Sequence, residues 1–590
     1  MTDRHAQAPA QAVWAAPLAP VGRVLFLTAA ILLAVATAGA AQPVSRFGVM
    51  IPMRDRVRLA ANIWTPGPNG RFPTILIRTP YDKTAQFRRY RLDAYLKAGY
   101  AVVLQDTRGR GDSEGEFDFY FPEGRDGYDT IEWIARQPWS NGRVGMDGGS
   151  YLGTVQWLAA REQPPHLACI APTASSGRLF DEIPFLGGAF RLEWALPWLF
   201  GVSGRVNQSE LAGLIPWDSL VGQRPLARLD TLLGRPLRLY QEILAHPTLD
   251  AYWRRIHFTD ADFARIQVPT LTVTGWLDGD QPGALWYWDG LSRRRDAPPH
   301  YLIVGPWTHG GTYLGGDRKV GEMQFDSSSV LPIQRLRLEF FDWCLKQATP
   351  RWDAPLVRAF VPGTNRWLTA DRYPIPGTTT RDLYLASGGS ANTVSGDGRL
   401  TWDPPGDLPP DRYVHDPRRP VPSADPSTDH RRIAERSDVL VYTSEALTAP
   451  VEILGRVFVT LWAASDAVDT DFTAKLLDVY PDGRSVLIGT QAAGVRRASY
   501  RKGPERLVPL EPNRTEEYSV ELFDIGHTFL PGHRIRLEVA SSAAPYINPN
   551  QGTGRPIGTD TSFVVARQTI WHDRARPSRI HLPIPPGGGR

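Results

Sequence analysis

Two kinds of hydrophobic pattern divide the chain. From about residue 45 to 346, short apolar runs of strand length alternate with runs whose apolar residues recur at helical spacing. "VRLAANIW" sets Val57, Leu59, Ala61 and Ile63 at every second position, whereas "TILIRT" and "YAVVLQDT" are the nearly continuous runs of strands buried on both faces. "DGYDTIEWIARQ" gathers Tyr128, Ile131, Ile134 and Ala135 on one side of a helix. Strand followed by helix, repeated, predicts an α/β sheet over 45–346. After "ACIAPTA" the next buried-strand pattern is "VPTLTVTG"; the stretch between, rich in Trp, Leu and Arg, reads as a helical cap inserted at 175–265.

Beyond "LRLEFFDWCLK", which ends at Lys346, the period changes to two, with Pro and Gly as punctuation. "RVFVTLWA" alternates, "VYPDGRSVLIG" carries a Pro-Asp-Gly turn, and "HRIRLEVASS" puts Ile535, Leu537 and Val539 on one face. These features predict an all-β domain over 350–590, a β-sandwich of jelly-roll type.

Composition narrows the function classes. With 42% hydrophobic and 22% charged residues the chain is globular, and its net charge of +4, from 66 basic and 62 acidic side chains, supplies no cationic field for nucleic acid. A small-molecule partner is expected. Arg23 precedes "VLFLTAAILLAVATAGAAQ", an apolar run ending in Ala38-Gly39-Ala40, which fits a signal peptide over 1–40 and a secreted or periplasmic protein. The other reading is a retained N-terminal anchor; no second apolar stretch of spanning length follows. Cys169 and Cys344 both sit among apolar residues and are expected as free buried thiols, and no metal-ligand spacing or cofactor motif appears. "RGRGDSEG" has Glu114 where a dinucleotide loop needs its third glycine, so it reads as a rigid turn in which Asp106, Arg108 and Asp112 form an ion-pair network.

Chemistry gathers around "RVGMDGGSYLGTVQW". Gly148, Gly149 and Gly153 surround Ser150 between a strand pattern and a helix pattern, as a strained nucleophile turn requires, although Leu152 stands where the common G-x-S-x-G form has glycine. A serine becomes nucleophilic only when a base takes its proton and an acid orients that base. In an α/β-hydrolase the order is serine, acid, histidine, the last two each following a strand. Asp278 follows "TLTVTGW" and His309 follows "YLIVGPWT", in that order. His166, His246, His257 and His300 lack such a position and are expected at the surface or in the core. An unperturbed imidazole would place one limb of the pH profile near neutrality.

"GGSYLG", "GWLDG", "GPWTHG", "RTPYDK" and "QDTRGRGDSEG" together resemble the X-Pro dipeptidyl-peptidase and cocaine-esterase family of serine hydrolases, which also includes α-amino acid ester hydrolases and glutaryl acylases. The resemblance runs from about Phe47 to Leu582, since "HTFLPGHRIRLEVASS" is similar to the family's C-terminal domain. It implies Ser150 as nucleophile, His309 as base and Asp278 as orienting acid. It also implies an oxyanion hole made by the Tyr81 hydroxyl and the backbone N–H of Tyr151.

Family members that take a free α-amino group cluster carboxylates just after the triad aspartate and at the start of the cap. Here Asp280 is present, Gln281 replaces the second carboxylate, and the cap offers Asp181 or Glu182. Glu182 and Asp280 are the candidate substrate-binding residues, in a cluster that is incomplete. An acyl esterase or amidase acting on small esters or activated amides is therefore expected ahead of an X-Pro dipeptidyl-peptidase or an α-amino acid ester hydrolase or acylase. A non-catalytic binding protein using the β domain is the reading from another class. No cofactor is implied.

Overall fold

The computed structural model describes residues 42–347 and 352–588; the expected leader over 1–40 lies outside the described residues. Ten strands form the first sheet. Numbered along the chain they are β1 (Val44–Pro52), β2 (Arg58–Thr65), β3 (Phe72–Thr79), β4 (Ala101–Asp106), β5 (Ser140–Gly149), β6 (Leu167–Thr173), β7 (Thr270–Leu277), β8 (His300–Thr308), β9 (Val357–Val361) and β10 (Arg366–Ala370). Their order is β1-β2-β4-β3-β5-β6-β7-β8-β9-β10. Every neighbouring pair from β4 to β9 is parallel, and antiparallel pairs close both edges. β4 is buried at all six positions, which explains its unbroken apolar run.

Helices Glu123–Ala135, Tyr151–Arg161, Gln281–Ser292 and Ile333–Lys346 connect and cover the strands. The first buries Ile131 and Ile134, as its spacing predicts. Segments leaving the carboxyl ends of parallel strands converge on one edge, where ligands bind in such sheets. Tyr81 follows β3, Ser150 follows β5, Asp278 follows β7 and His309 follows β8.

Between β6 and β7 the chain is mainly helical, including Leu192–Val202 and Arg238–Ala245, as the sequence suggests. It also holds a short antiparallel hairpin, Phe185–Leu186 with Ala189–Phe190. Two-residue strands are too short to leave a periodicity. The hairpin's Leu186 and Ala189 pack with Val495, Phe523 and Tyr546, which ties this insertion to the C-terminal β-rich region.

That region forms a twelve-stranded sheet system. The Pro-Asp-Gly turn joins strands Asp471–Val479 and Ser485–Ile488, and Ile535, Leu537 and Val539 are fully buried. One expectation needs adjustment: the change of period after Lys346 does not mark the end of the first sheet. β9 adds to it in parallel with β8, Leu302 opposite Val357, and β10 follows as an antiparallel edge.

The cysteines are a correction. Cys169 on β6 and Cys344 in helix Ile333–Lys346 form a disulfide, with Cα atoms 6.4 Å apart and 175 residues between them in sequence. Apolar neighbours indicated burial but carried no information on pairing. Closing so long a loop constrains the unfolded chain, so Cys344→Ser is expected to destabilise the fold by about 2–5 kcal/mol in denaturant titrations. Non-reducing peptide mapping should recover the Cys169 and Cys344 peptides linked; two alkylatable thiols in the native chain would contradict the bridge.

Candidate active site

Ser150 occupies the turn from β5 into helix Tyr151–Arg161 with φ 59° and ψ −130°, a conformation that L side chains rarely adopt. Strain of about 1–3 kcal/mol persists only where the surroundings hold it. Here the Ser150 N–H donates to the carbonyls of Thr173 and Ala174, both at 3.0 Å. One residue earlier, the Gly149 N–H donates to the Tyr90 hydroxyl at 3.0 Å. Beneath lies Asp147, fully buried, accepting from the Tyr95 hydroxyl at 2.6 Å and the Gly148 N–H at 2.8 Å, with Arg337 Nε 3.5 Å away.

The glycines answer to close approaches. A Cβ on Gly149 would lie 2.0 Å from the Tyr313 ring, and one on Gly153 would lie 2.8 Å from the Thr173 carbonyl oxygen. The second contact explains why glycine stands three residues after the serine. Leu152, in the position that is usually glycine, instead packs against Gly148, where a Cβ would lie 2.7 Å from the Leu152 Cβ.

Asp278 and His309 meet as the chain order predicts: Asp278 Oδ1 lies 2.7 Å from His309 Nδ1. The Asp278 carboxylate is fully buried and also accepts from the Thr274 hydroxyl at 2.8 Å and the Asp280 N–H at 3.0 Å. Its main chain is held from the β-rich region, where the Thr490 hydroxyl donates to the Asp278 carbonyl and the Gln491 amide donates to the Gly279 carbonyl at 2.8 Å. Burial pulls the His309 pKa down, but the charge and hydrogen bond of Asp278 outweigh it and raise it to about 9. The neutrality expected from an unperturbed imidazole is therefore displaced upward.

His309 Nε2 faces the Tyr313 hydroxyl at 3.1 Å. Ser150 and His309 line the same cleft, of about 470 Å³, with Tyr81, but among the described residues Ser150 and His309 share no direct hydrogen bond. Such contacts commonly tighten only when substrate arrives. Tyr313 escaped the sequence reading, although its place four residues after His309 on a short helical turn was available as a signal.

Tyr81 lines the cleft, and its hydroxyl oxygen accepts from Trp198 Nε1 at 2.9 Å. That bond leaves the Tyr81 proton free to point at Ser150 or at an oxygen bound beside it. Burial raises the Tyr81 pKa, so the phenol stays protonated. Trp198 comes from the inserted helix Leu192–Val202, 117 residues away, which hid it from a motif search. Tyr151 plays a different part with each end. Its side chain turns from the cleft, donating to the Phe119 carbonyl at 2.6 Å and Glu123 Oε1 at 2.8 Å, while its N–H belongs to the first helical turn, which has no intrahelical acceptor.

Asp280 lines the cleft, 3.9 Å from His309 Nδ1 through its Oδ2. Glu182 lies behind the wall, where its carboxylate accepts from the N–H groups of Gly177 at 2.9 Å, Arg178 at 3.1 Å and Gly283 at 3.2 Å. Burial, followed by the Asp280 charge, raises its pKa to about 8. Asp181 pairs with Arg178 at 2.6 Å. Gln281 donates to the Asp524 carbonyl at 2.7 Å. Glu182 and Asp280 are thus close enough to interact, but of the two only Asp280 lines the cleft.

The Asp106 turn is a network, with different pairs from those expected. Lys83 Nζ bridges Asp106 and Asp112, both at 2.6 Å, while Arg108 pairs with Asp126 at 2.6 Å and Asp55 at 2.8 Å. His166 and His246 pair with Glu132 and Asp250, His300 is buried against Thr272, and the His257 ring lies tilted against Trp286, 5.5 Å between centres. None of these four histidines lines the cleft. Among the described residues no group of three or more His, Cys, Asp or Glu side chains could hold a metal, and no helix is long and apolar enough to cross a membrane.

An elbow serine and an Asp–His pair at the carboxyl edge of an α/β sheet define a serine hydrolase. Residues 55–311 match the X-Pro dipeptidyl-peptidase (S15) family, and residues 350–581 match the X-Pro dipeptidyl-peptidase C-terminal non-catalytic domain. Cocaine esterase of Rhodococcus sp. (strain MB1 Bresler) is 36% identical over 576 residues, covering 91% of this chain and 98% of its own. An aminopeptidase structure from a marine sediment Thaumarchaeota archaeon superposes with a TM-score of 0.81 at 28% identity, covering 92% of this chain and 97% of that one. An α-amino acid ester hydrolase structure gives 0.79 at 27%, covering 94% and 97%. The chain belongs to the X-Pro dipeptidyl-peptidase and cocaine-esterase family of serine hydrolases.

Two measurements test the geometry. If the neutral form of His309 is the working base, kcat/KM rises with pH through the folded pKa of about 9, and Asp278→Asn, which removes the charge that raises it, moves that limb to lower pH. A limb unmoved by Asp278→Asn would assign it to another group. Tyr81→Phe is expected to lower kcat about a hundredfold with little change in KM, and Trp198→Phe, which frees the hydroxyl to rotate, to lower it less. Unchanged kcat in a folded Tyr81→Phe variant would return the tyrosine to a packing role.

Proposed function

We propose that this chain hydrolyses small acyl esters, and activated amides, through an acyl-enzyme on Ser150. In this reading His309 Nε2 exchanges its Tyr313 contact for the Ser150 proton as the oxygen attacks the carbonyl. Asp278 holds the opposite ring nitrogen and balances the imidazolium. The Tyr81 hydroxyl and the Tyr151 N–H donate to the oxyanion, a phenol and an amide each worth about 3 kcal/mol in a site that excludes water. His309 then protonates the leaving group, and water repeats the sequence on the acyl-enzyme. The observation that carries the reading is the 2.7 Å Asp278–His309 pair opening on the same cleft as a serine at φ 59°.

Similarity to cocaine esterase supports ester cleavage, and the engagement of Glu182 and Asp181 elsewhere weighs against a carboxylate cage for a free amine. Asp280 in the cleft is the feature that favours the second reading, an α-amino acid ester hydrolase, an acylase or an X-Pro dipeptidyl-peptidase. A purely binding role for the β-rich region leaves the buried Asp–His pair without a purpose. Export is the accompanying proposal: the apolar run before Ala41 supports a signal peptide, and the Cys169–Cys344 bridge suits an oxidising compartment.

A fluorophosphonate probe is expected to label wild type on the Ser150 peptide and to leave folded Ser150→Ala unlabelled. Turnover of p-nitrophenyl esters above amino-acid esters and X-Pro amides would support the esterase reading; the reverse order would favour the second.

A further inference from the structure

The reactive nitrogen of the base is already occupied. His309 Nδ1 lies against the Asp278 carboxylate, which can only accept, so the proton of the neutral ring sits on Nδ1 and Nε2 keeps a single lone pair. Tyr313 takes that nitrogen at 3.1 Å, and among the described residues no other side chain bonds it. One lone pair accepts one strong hydrogen bond, so the hydroxyls of Ser150 and Tyr313 compete for it. In the protonated ring the partners stay and the direction reverses, with the Nε2 proton pointing to the Tyr313 oxygen. Ser150 is the excluded partner in both states.

Tyr313 is a fixed partner. It stands four residues after His309, the spacing that brings two side chains together across a helical turn. The turn is tied at both ends: the Thr312 hydroxyl donates to the His309 carbonyl at 2.6 Å, and Gly315 closes it with φ 93°, where a Cβ would lie 1.8 Å from the Leu331 carbonyl oxygen. Tyr313 is 7% exposed, its ring wedged against Gly149, edge-on to Tyr90 at 5.9 Å and covered by the Arg89 guanidinium at 4.9 Å. With that ring so enclosed, it is His309, whose side chain is 39% exposed, that must leave the contact.

We propose that Tyr313 is a positioning residue that holds His309 off Ser150 while the cleft is empty, so that the base turns to the nucleophile only when an ester is bound. The proposal rests on the ester-hydrolase reading and adds a restraint to the same site. Proton transfer then has two stages. His309 Nε2 first gives up Tyr313, exchanging one hydrogen bond for another. The Ser150 O–H bond then breaks as Nε2–H forms and the serine oxygen bonds the carbonyl carbon, and Nε2 passes that proton to the leaving oxygen. A single hydrogen bond of ordinary strength restrains the rate about threefold to tenfold. The contact also acts on the charge of the base. The charged groups facing His309 are Asp278 and Asp280 from the loop after β7 and Arg89 from helix Lys83–Arg89, while Tyr81 and Tyr90 line the same cleft as neutral phenols. Among these the Tyr313 oxygen accepts a charge-assisted bond from the imidazolium, stronger than the bond its proton makes to the neutral ring, so it favours the protonated, idle form.

Tyr313→Phe keeps the ring against Gly149 and removes only the hydroxyl. Second-order inactivation by a fluorophosphonate, followed across pH, reads both effects. Above the limb, where the His309 ring is neutral, Tyr313→Phe is expected to react about threefold to tenfold faster than wild type, and its limb to lie at lower pH. Asp278→Asn moves the limb the same way but slows the reaction, because it also loses the orientation of the ring. A purely structural hydroxyl predicts the reverse for Tyr313→Phe, a loss of rate. A folded Tyr313→Phe variant that reacts no faster, or whose limb stays with wild type, overturns the proposal. Should Tyr313→Phe fail to fold, 3-fluorotyrosine at position 313 decides. It is nearly isosteric, a weaker acceptor and a stronger donor, and both changes favour the neutral ring, so a limb at lower pH supports the proposal and an unmoved limb overturns it. Wild type that the probe leaves unlabelled at Ser150 refutes the hydrolase reading and the restraint with it, whereas labelled wild type beside an unaltered Tyr313→Phe variant refutes the restraint alone.

Discussion

The backbone of Ser150 sits where only a tightly enclosing structure can keep it, and much of the molecule serves that enclosure. Two carbonyls at the end of β6 hold its N–H, and a buried aspartate with its tyrosine and arginine partners supports the residues before it. The Tyr313 ring closes on Gly149 so tightly that no side chain would fit there. The position of Ser150 is therefore set by neighbours drawn from two strands and three helices. A change in any of them would act on chemistry through the angle at which one oxygen meets the cleft.

Charge is arranged with the same economy. Asp278 is withdrawn entirely from solvent, and its charge and hydrogen bond act on His309 more strongly than the desolvation of the ring itself. Tyr81 is aligned by a neutral donor, Trp198, which fixes the direction of its proton without adding charge. In the proposed reaction the two devices serve opposite needs: the imidazole changes protonation during the cycle, whereas the phenol does not.

The sequence made the sheet, the order of the site and its main residues legible because each depends on local pattern. β4 announces itself by six buried residues in a row, and Asp278 and His309 by following strands in the right rank. What remained hidden depends on distant parts of the chain. Trp198 reaches Tyr81 across 117 residues, and Cys169 reaches Cys344 across 175. Glu182 shows the converse limit: its place in the chain resembled a ligand for substrate, but three backbone N–H groups claim it, a fact no side-chain pattern encodes. β9 and β10 lie beyond the change of period because adding a strand to a sheet edge leaves no mark distinguishing it from starting a new one.

The hold of Thr490 and Gln491 on the loop of Asp278 and Gly279 reaches across 212 residues. A chain emerging from the ribosome completes Ser150, Asp278 and His309 long before it makes the residues that fix the Asp278 backbone. Any shortened form ending near the change of period would contain all three residues and lack this clamp, along with the two edge strands that follow β8. Counting functional residues along such a chain overstates how early it is finished: the site closes when its distant portions meet, and the last of them to be synthesised sets the moment.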